Sequence, residues 1–537
     1  MNFFFNNKLK NIFIYLTFIL IFIVGILSFS DYGVAVDEWD LKILGIINAN
    51  YLLEIFNFDP INFKSILPNL NEYYGSTHGP IFVTLMSLVE NIFNIEDSDK
   101  IFLLRHYINH LIFFISLIYF FLLVNNRYSD WKMGLIGAIF IFLTPRIFAH
   151  SFFNYKDILF LSLTIINLYY GVCFLKKTNF KNIILFSLTA SFATNIRVIG
   201  LMIPVIIILV HYIEILRDNK KNSQAIFFLI FFTLLFTYLF WPYLWSDPIS
   251  KLYEIINRLS SYGWTGYNFY LGEYIKATNL PWHYFFIWIG ITTPIFFLVL
   301  FLLGIFSYIF RLVKRLLNIS ENLENLNDLW RGKKESEDFI FLICLTIPIM
   351  IVVLLGSPLY NGWRHLYFLY PFFILFSLRG LYLIKILFLK KKLFIFYLIV
   401  TASILNVAYT NYKYHPYQNN YFNFLAGKEA NKRFDTDYWG LSNKQAIEKI
   451  LNNEKNFPVK VASVSQISLE NSMDIFDINR KKKVIVTSVL EADYIIDNYI
   501  YWYGTKAKKK AKIPKDFKLF FEKIIDENKI YSIYRKG

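Results

Sequence analysis

Long apolar runs alternate with short polar stretches over the first 410 residues, and most of the runs are about as long as a bilayer is thick. A helix needs roughly 18 to 25 apolar residues to cross the hydrocarbon core. Backbone groups in lipid must pair within the segment, so these runs are predicted to be helices. Eleven spans are expected, near 11–30, 104–124, 132–149, 158–175, 182–196, 199–216, 225–246, 284–310, 339–356, 365–386 and 393–410. The run from Pro80 to Phe93 is apolar but short, and it contains Glu90. The ten-residue alternating pattern of an outer-membrane barrel is absent from the sequence. After Thr410 the chain becomes polar. A helix is predicted over Ser442–Leu451, with Ser442 as its cap. Strands are predicted over Val459–Val464, Lys483–Val489, Ala492–Tyr499 and Ile530–Tyr534. The expected fold class is a mainly α, polytopic membrane protein of about eleven transmembrane helices over 1–410, with a small C-terminal α/β domain over 411–537.

Charge sets the orientation. Lys8 and Lys10 fall on one side, together with Arg127 and Lys132, the Lys176–Lys181 loop, the Arg217–Lys221 loop, Arg311–Lys334 and Lys385–Lys392. The loop 31–79 carries only Lys42 and Lys64 as basic residues. This is a positive-inside pattern, provided 80–93 lies on or dips into the surface without crossing. The amino terminus is expected to be cytoplasmic and the C-terminal domain extracytoplasmic, in a bacterial inner membrane. The run 11–28 exceeds a signal-peptide core and no small-residue cleavage site follows, so it is read as an uncleaved first span. The basic runs Arg480–Lys483 and Lys506–Lys512 lie in the C-terminal domain, and long domains cross largely regardless of charge.

Composition narrows the class further. The chain has 537 residues, 56% of them hydrophobic and 20% aromatic, more apolar surface than a soluble domain needs. The net charge of +16 sits largely in inter-span loops, so nucleic acid is not an expected partner; the lipid bilayer is. Cys173 and Cys344 both fall inside apolar runs and form no Cys-x-x-Cys pair, so neither a disulfide framework nor a thiolate metal site is supported.

The unusual polar residues gather on the outer face. Asp37-Glu38 follow the first span, flanked by Tyr32 and Trp39. Adjacent carboxylates at a membrane surface can take a proton or bind a cation; they can equally be solvated charge. His150 and Asp157 lie seven apart in His150-Ser-Phe-Phe-Asn154-Tyr155-Lys156-Asp157, a weak metal pair because two ligands do not define a cage. Arg197 sits between two apolar runs, and Arg364-His365 open another. A cation there either snorkels to the interface or meets an anion, and an arginine fork matches phosphate. Trp245, Tyr262, Trp264 and Tyr267 mark the 247–282 loop, which reads as a cover over the site or as an interface belt.

In order, these segments resemble the GT-C membrane glycosyltransferases, specifically the protein-mannosyltransferase-like family 39 group. The match runs through Asp37-Glu38, His78-Gly79-Pro80, Arg105, Pro145…His150…Asn154-Tyr-Lys-Asp157, Asn195-Ile-Arg197, Pro281-Trp-His-Tyr284 and Tyr360-Asn-Gly-Trp-Arg364-His365. The stretch His415-Pro-Tyr-Gln…Asp437-Tyr-Trp-Gly440 is similar to a bacterial subgroup, and the resemblance covers about residues 1–440. It implies transfer of a sugar from a polyprenyl-phosphate donor to an unidentified acceptor hydroxyl outside the cytoplasm. It places the catalytic acidic residues at Asp37, with Glu38 beside it, and at Asp157. A lysine common near the His-x-Pro stretch is missing, which leaves Lys156, Arg197, Arg364 and His365 to hold the donor phosphate. His78, His150 and Tyr360 are expected in the substrate pocket.

The chemistry agrees with these residues. There is no P-loop and no Gly-x-Gly-x-x-Gly, and a lipid-phosphate donor needs neither. A leaving phosphate needs cationic stabilisation more than a proton. The acceptor needs a base, for which Asp37 is the choice, and attack opposite the phosphate inverts the anomeric carbon. A carboxylate nucleophile with retention is the variant. No cofactor is required; a divalent metal is left open. Two other classes compete. A lipid-linked glycan ligase or polymerase would not need Asp37 as an essential base. A transporter or flippase would string polar residues through broken spans near the midplane.

Overall fold

The computed structural model describes residues 2–63, 66–218, 223–260, 264, 266–317, 329–388, 392–503, 506–507 and 513–537. Lys64, Lys220, Lys221, Tyr262, Lys390, Lys391 and most of the 506–512 run lie outside the described residues.

The molecule is a mainly α, integral membrane protein with a small C-terminal α/β domain. Among the described residues, eight helices are long and apolar enough to cross a membrane, or nine if one bent pair counts as a span. The shortfall from the eleven expected has local causes. The 132–149 run is two helices, Trp131–Leu143 and Pro145–Phe153, bent by 69°. Thr144 precedes the proline, where helical backbone is disfavoured, and Pro145 has no amide hydrogen to donate. The 182–196 and 225–246 runs are the helices Phe180–Ile196 and Ser223–Leu239, each 17 residues. They are about 25 Å long, just short of a roughly 30 Å core unless the bilayer thins around them. The 284–310 run keeps its one span, but it breaks before Pro294 into Tyr284–Thr292 and Ile295–Leu317, and only the second reaches spanning length.

The ambiguous run is the helix Ile81–Ile92. At about 18 Å it does not traverse a core of roughly 30 Å. Its Glu90 is buried and receives two hydrogen bonds from Arg105 of the next helix, at 2.6 and 2.8 Å. A charge that is odd in sequence is thus paired in the fold.

Beyond the last span, residues 415–442 fold back over the membrane domain, and the α/β unit follows. Its five-stranded sheet has the order 484–486, 459–463, 494–497, 528–536, 517–525; the first three strands are parallel and the last two antiparallel. The helix Asn443–Asn453 packs its Ala446, Ile447 and Ile450 onto this sheet. All four predicted strands form. The fifth, Phe517–Ile525, pairs with the 528–536 strand across two register shifts. Those bulges scramble its in–out alternation, which is why no period-two pattern marks it.

Candidate functional site

Four local structures bring the site together. The first is the amino end of the helix Val36–Ile55, which starts where Glu38 turns back to accept the Ala35 amide at 2.6 Å. This leaves Asp37 in the first turn with its side chain 44% exposed. The second is the end of the bent pair, where Asn154 leads into Lys156 and Asp157. The third is the close crossing of His78-Gly79-Pro80 with Thr194–Arg197. A Cβ on Gly79 would stand 1.3 Å from the Asn195 carbonyl oxygen, so only glycine fits. Asn195 fastens the crossing by accepting the Ile81 amide at 3.0 Å. The fourth is the turn Tyr360–Arg364, where Asn361 and Gly362 have φ of 57° and 73°. Left-handed backbone suits these residue types, and the turn swings Arg364 back into the protein.

Arg364 is the hub. Its guanidinium bonds the Asp157 carboxylate at 3.0 Å and the Asp37 carboxylate at 3.2 Å. It also lies over the rings of Tyr360 and Trp439, 4.9 Å from each centroid. Asp157 is buried and further paired with Arg197, and Asn154 donates to it at 3.0 Å. Lys156 approaches Nδ1 of His78 at 3.3 Å. Burial, and then the charge of Arg197, pull the Lys156 ammonium down to about 7. The Lys156 charge, and then burial, hold His78 well below the usual imidazole range. Three cations (Lys156, Arg197, Arg364) therefore face two carboxylates, and the more exposed carboxylate is Asp37.

The other expected residues fall close by. His365 packs edge-on to Tyr360 at 4.3 Å between ring centroids, and Trp264 of the 247–282 loop packs on Tyr360, also at 4.3 Å. That loop is ordered as the helix Pro248–Ser260 and a hairpin of Tyr267–Tyr270 with Glu273–Lys276. Asn268 ties the hairpin to the Tyr360 turn by donating to the Leu359 carbonyl at 2.9 Å and accepting the Asn361 amide at 3.1 Å.

Two expected residues lie behind the site. Glu38 is fully buried; besides the Ala35 amide it binds His106 at 2.9 Å and accepts from the Tyr155 hydroxyl. His150 is fully buried between Asn154, at 3.1 Å, and the Tyr438 hydroxyl, at 3.2 Å. It reaches Asp157 only through Asn154. Among the described residues no group of three or more His, Cys, Asp or Glu side chains is gathered as a metal would need.

Two contributors have no role assigned from sequence. Asn154 links His150 to Asp157, and Trp439 covers Arg364 and packs on His150 at 5.3 Å. Both stand inside quoted motifs, yet nothing local tells that a tryptophan 75 positions from Arg364 returns to it.

No family model and no curated protein matches the chain. Among solved structures, the crystal structure of ArnT from Cupriavidus metallidurans bound to undecaprenyl phosphate is similar, with a TM-score of 0.45 and 10% identity, over 97% of this chain and 98% of that one.

Proposed function

We propose that this protein is a membrane glycosyltransferase of GT-C type that moves a sugar from a polyprenyl-phosphate donor to an acceptor hydroxyl on the extracytoplasmic face. The observation that carries this reading is the Arg364 hub: one guanidinium joins the exposed Asp37 to the buried Asp157, with Arg197 and Lys156 alongside. An excess of cations suits a phosphate, and a reachable carboxylate suits a hydroxyl.

In this reading the donor phosphate is held by Arg364, Arg197 and Lys156. As the bond from the anomeric carbon to the phosphate oxygen breaks, these cations take up the charge growing on that oxygen. An incoming phosphate also favours the protonated form of Lys156. Asp37 exchanges its contact with Arg364 for the acceptor hydroxyl, accepts its proton, and directs it at the anomeric carbon from the side opposite the phosphate. The product is inverted. Asp157 is a positioning residue that sets the two guanidiniums. Glu38 positions the first turn that carries Asp37. His365, Tyr360 and Trp264 form an aromatic wall for the sugar.

The test is transfer by the purified protein in lipid, supplied with labelled polyprenyl-phosphate sugars and an envelope extract. Label moving into an acceptor with the anomeric centre inverted supports the reading. Label that stays on the donor with every sugar tried sinks it. Transfer that survives loss of Asp37 points to the ligase class.

A further inference from the structure

A second cationic site lies at the opposite ends of the same helices. On the Ser98–Tyr128 helix, Arg105 stands near the carboxylate site and Arg127 is 22 residues on, about 33 Å away. Arg127 meets Arg379, from the helix that begins after the Tyr360 turn, and Arg311 and Lys334, from the helices Ile295–Leu317 and Lys333–Leu354. With Tyr128 and Tyr382 they line a cavity of about 280 Å³ that, among the described residues, has no acidic residue in its lining.

Among the described residues, the charges around the cavity do not balance. Asp338 is shared by Arg127, at 2.7 and 2.8 Å, and Arg379, at 3.0 Å. Glu335 is shared by Arg311, at 3.2 Å, and Arg315, at 2.8 Å. Glu337 is taken by Lys176 at 3.1 Å. Lys334 bonds the Ser129 hydroxyl at 3.4 Å. Six cations thus stand against three carboxylates in this set of contacts. Holding like charges together at the end of a bundle costs free energy unless an anion joins them. The position tells which anion. Arg127, Arg311, Lys334 and Arg379 all stand near the ends of helices long and apolar enough to cross a membrane, at the level of the lipid headgroups.

We infer that this cavity binds a phosphate oxyanion, supplied by the headgroup of an anionic membrane lipid. Arg127 and Arg379 are fixed by Asp338 and form the floor; Arg311 and Lys334 are more exposed and close over the ligand. The site is independent of the reading of the carboxylate site. It makes the bundle end sensitive to the lipid composition of that leaflet.

The experiment uses the full chain in neutral detergent, stripped of lipid. Retention of phosphatidylglycerol, of phosphatidylcholine with the same chains, and of inorganic phosphate is followed by native mass spectrometry and thermal unfolding. Phosphatidylglycerol is expected to bind saturably at one site and to raise the unfolding temperature; phosphatidylcholine is not. The double variant Arg311→Gln/Lys334→Gln weakens this about thirty-fold, at roughly fivefold per cation lost. Lys460→Gln/Lys518→Gln, on the exposed C-terminal domain, leaves it unchanged. Inorganic phosphate that only competes weakly assigns the anion to a lipid. Phosphate that binds and is not displaced by phosphatidylglycerol assigns it to the aqueous phase and overturns the lipid source. Equal retention of phosphatidylcholine, or wild-type binding by the folded double variant, overturns the site.

Discussion

Replacing Arg364 separates what the hub does for folding from what it does for chemistry. Arg364→Gln removes a contact to the half-exposed Asp37, worth about 0–1 kcal/mol. It also removes a buried, hydrogen-bonded pair with Asp157. Breaking such a pair outright costs about 3–5 kcal/mol, but Arg197 and Asn154 remain on that carboxylate, so about 2 kcal/mol is the better figure. Two cation–π contacts add about 0.5–1 kcal/mol each. The protein should lose about 3–5 kcal/mol of stability, a loss that a cooperative, largely buried bundle can survive. Catalysis should fall further, because a cation aimed at the leaving phosphate is worth about 10²–10³ in kcat. Arg364→Lys keeps the charge but not the fork, and one ammonium cannot serve both carboxylates and lie over two rings. Its stability should lie between the wild type and Arg364→Gln, with transfer still reduced about tenfold or more. The assay is initial-rate transfer of labelled sugar in nanodiscs, alongside an unfolding temperature for each variant. A folded Arg364→Gln protein with wild-type kcat would refute the placement of the donor phosphate.

Three further outcomes follow from the same geometry. With its ammonium held down to about 7, Lys156 loses its proton as the pH rises through that value. The donor kcat/KM should therefore fall above about pH 7, and Lys156→Arg should remove that limb of the profile; a pH series on both proteins checks it. Gly79→Ala places a Cβ 1.3 Å from the Asn195 carbonyl oxygen. It should lower the unfolding temperature by an amount equivalent to about 3 kcal/mol or more, and reduce transfer, because His78 and Arg197 are set by that crossing. Glu38→Gln keeps the shape but weakens the grip on Ala35, His106 and Tyr155. Transfer should fall about tenfold with an unaltered pH profile, whereas loss of the catalytic base would change the profile.

Much of this architecture can be read from the chain, and the misses are physically instructive. Span positions follow from apolar runs, which bilayer thickness forces to a narrow length. Their number does not, because Pro145 bends a run whose composition is continuous and two other runs form helices of only 17 residues. The short helix with Glu90 is legible as an oddity, but its partner Arg105 becomes evident only when the next helix lies against it. At the site, Asp37, Lys156, Asp157, Arg197 and Arg364 converge as a group. Glu38 and His150 cannot be told from surface-facing residues by type alone; burial and partners place them behind the site. Asn154 and Trp439 are hidden for opposite reasons. One is a small amide inside a turn, and the other returns from beyond the last span.

In the proposed mechanism Asp37 takes the acceptor proton while the cations around Asp157 hold the donor phosphate. The most direct measurement compares Asp37→Asn with the wild type in lipid, with donor binding and sugar transfer measured on the same preparations. The substituted amide keeps a contact to Arg364 and leaves the buried pairs of Asp157 untouched. The variant should therefore fold and bind donor within about threefold of wild type, since the contact it weakens is a half-exposed one. Its transfer rate should fall by about 10²–10⁴, the worth of a positioned base. A folded Asp37→Asn protein that binds donor and transfers sugar at the wild-type rate would contradict the account.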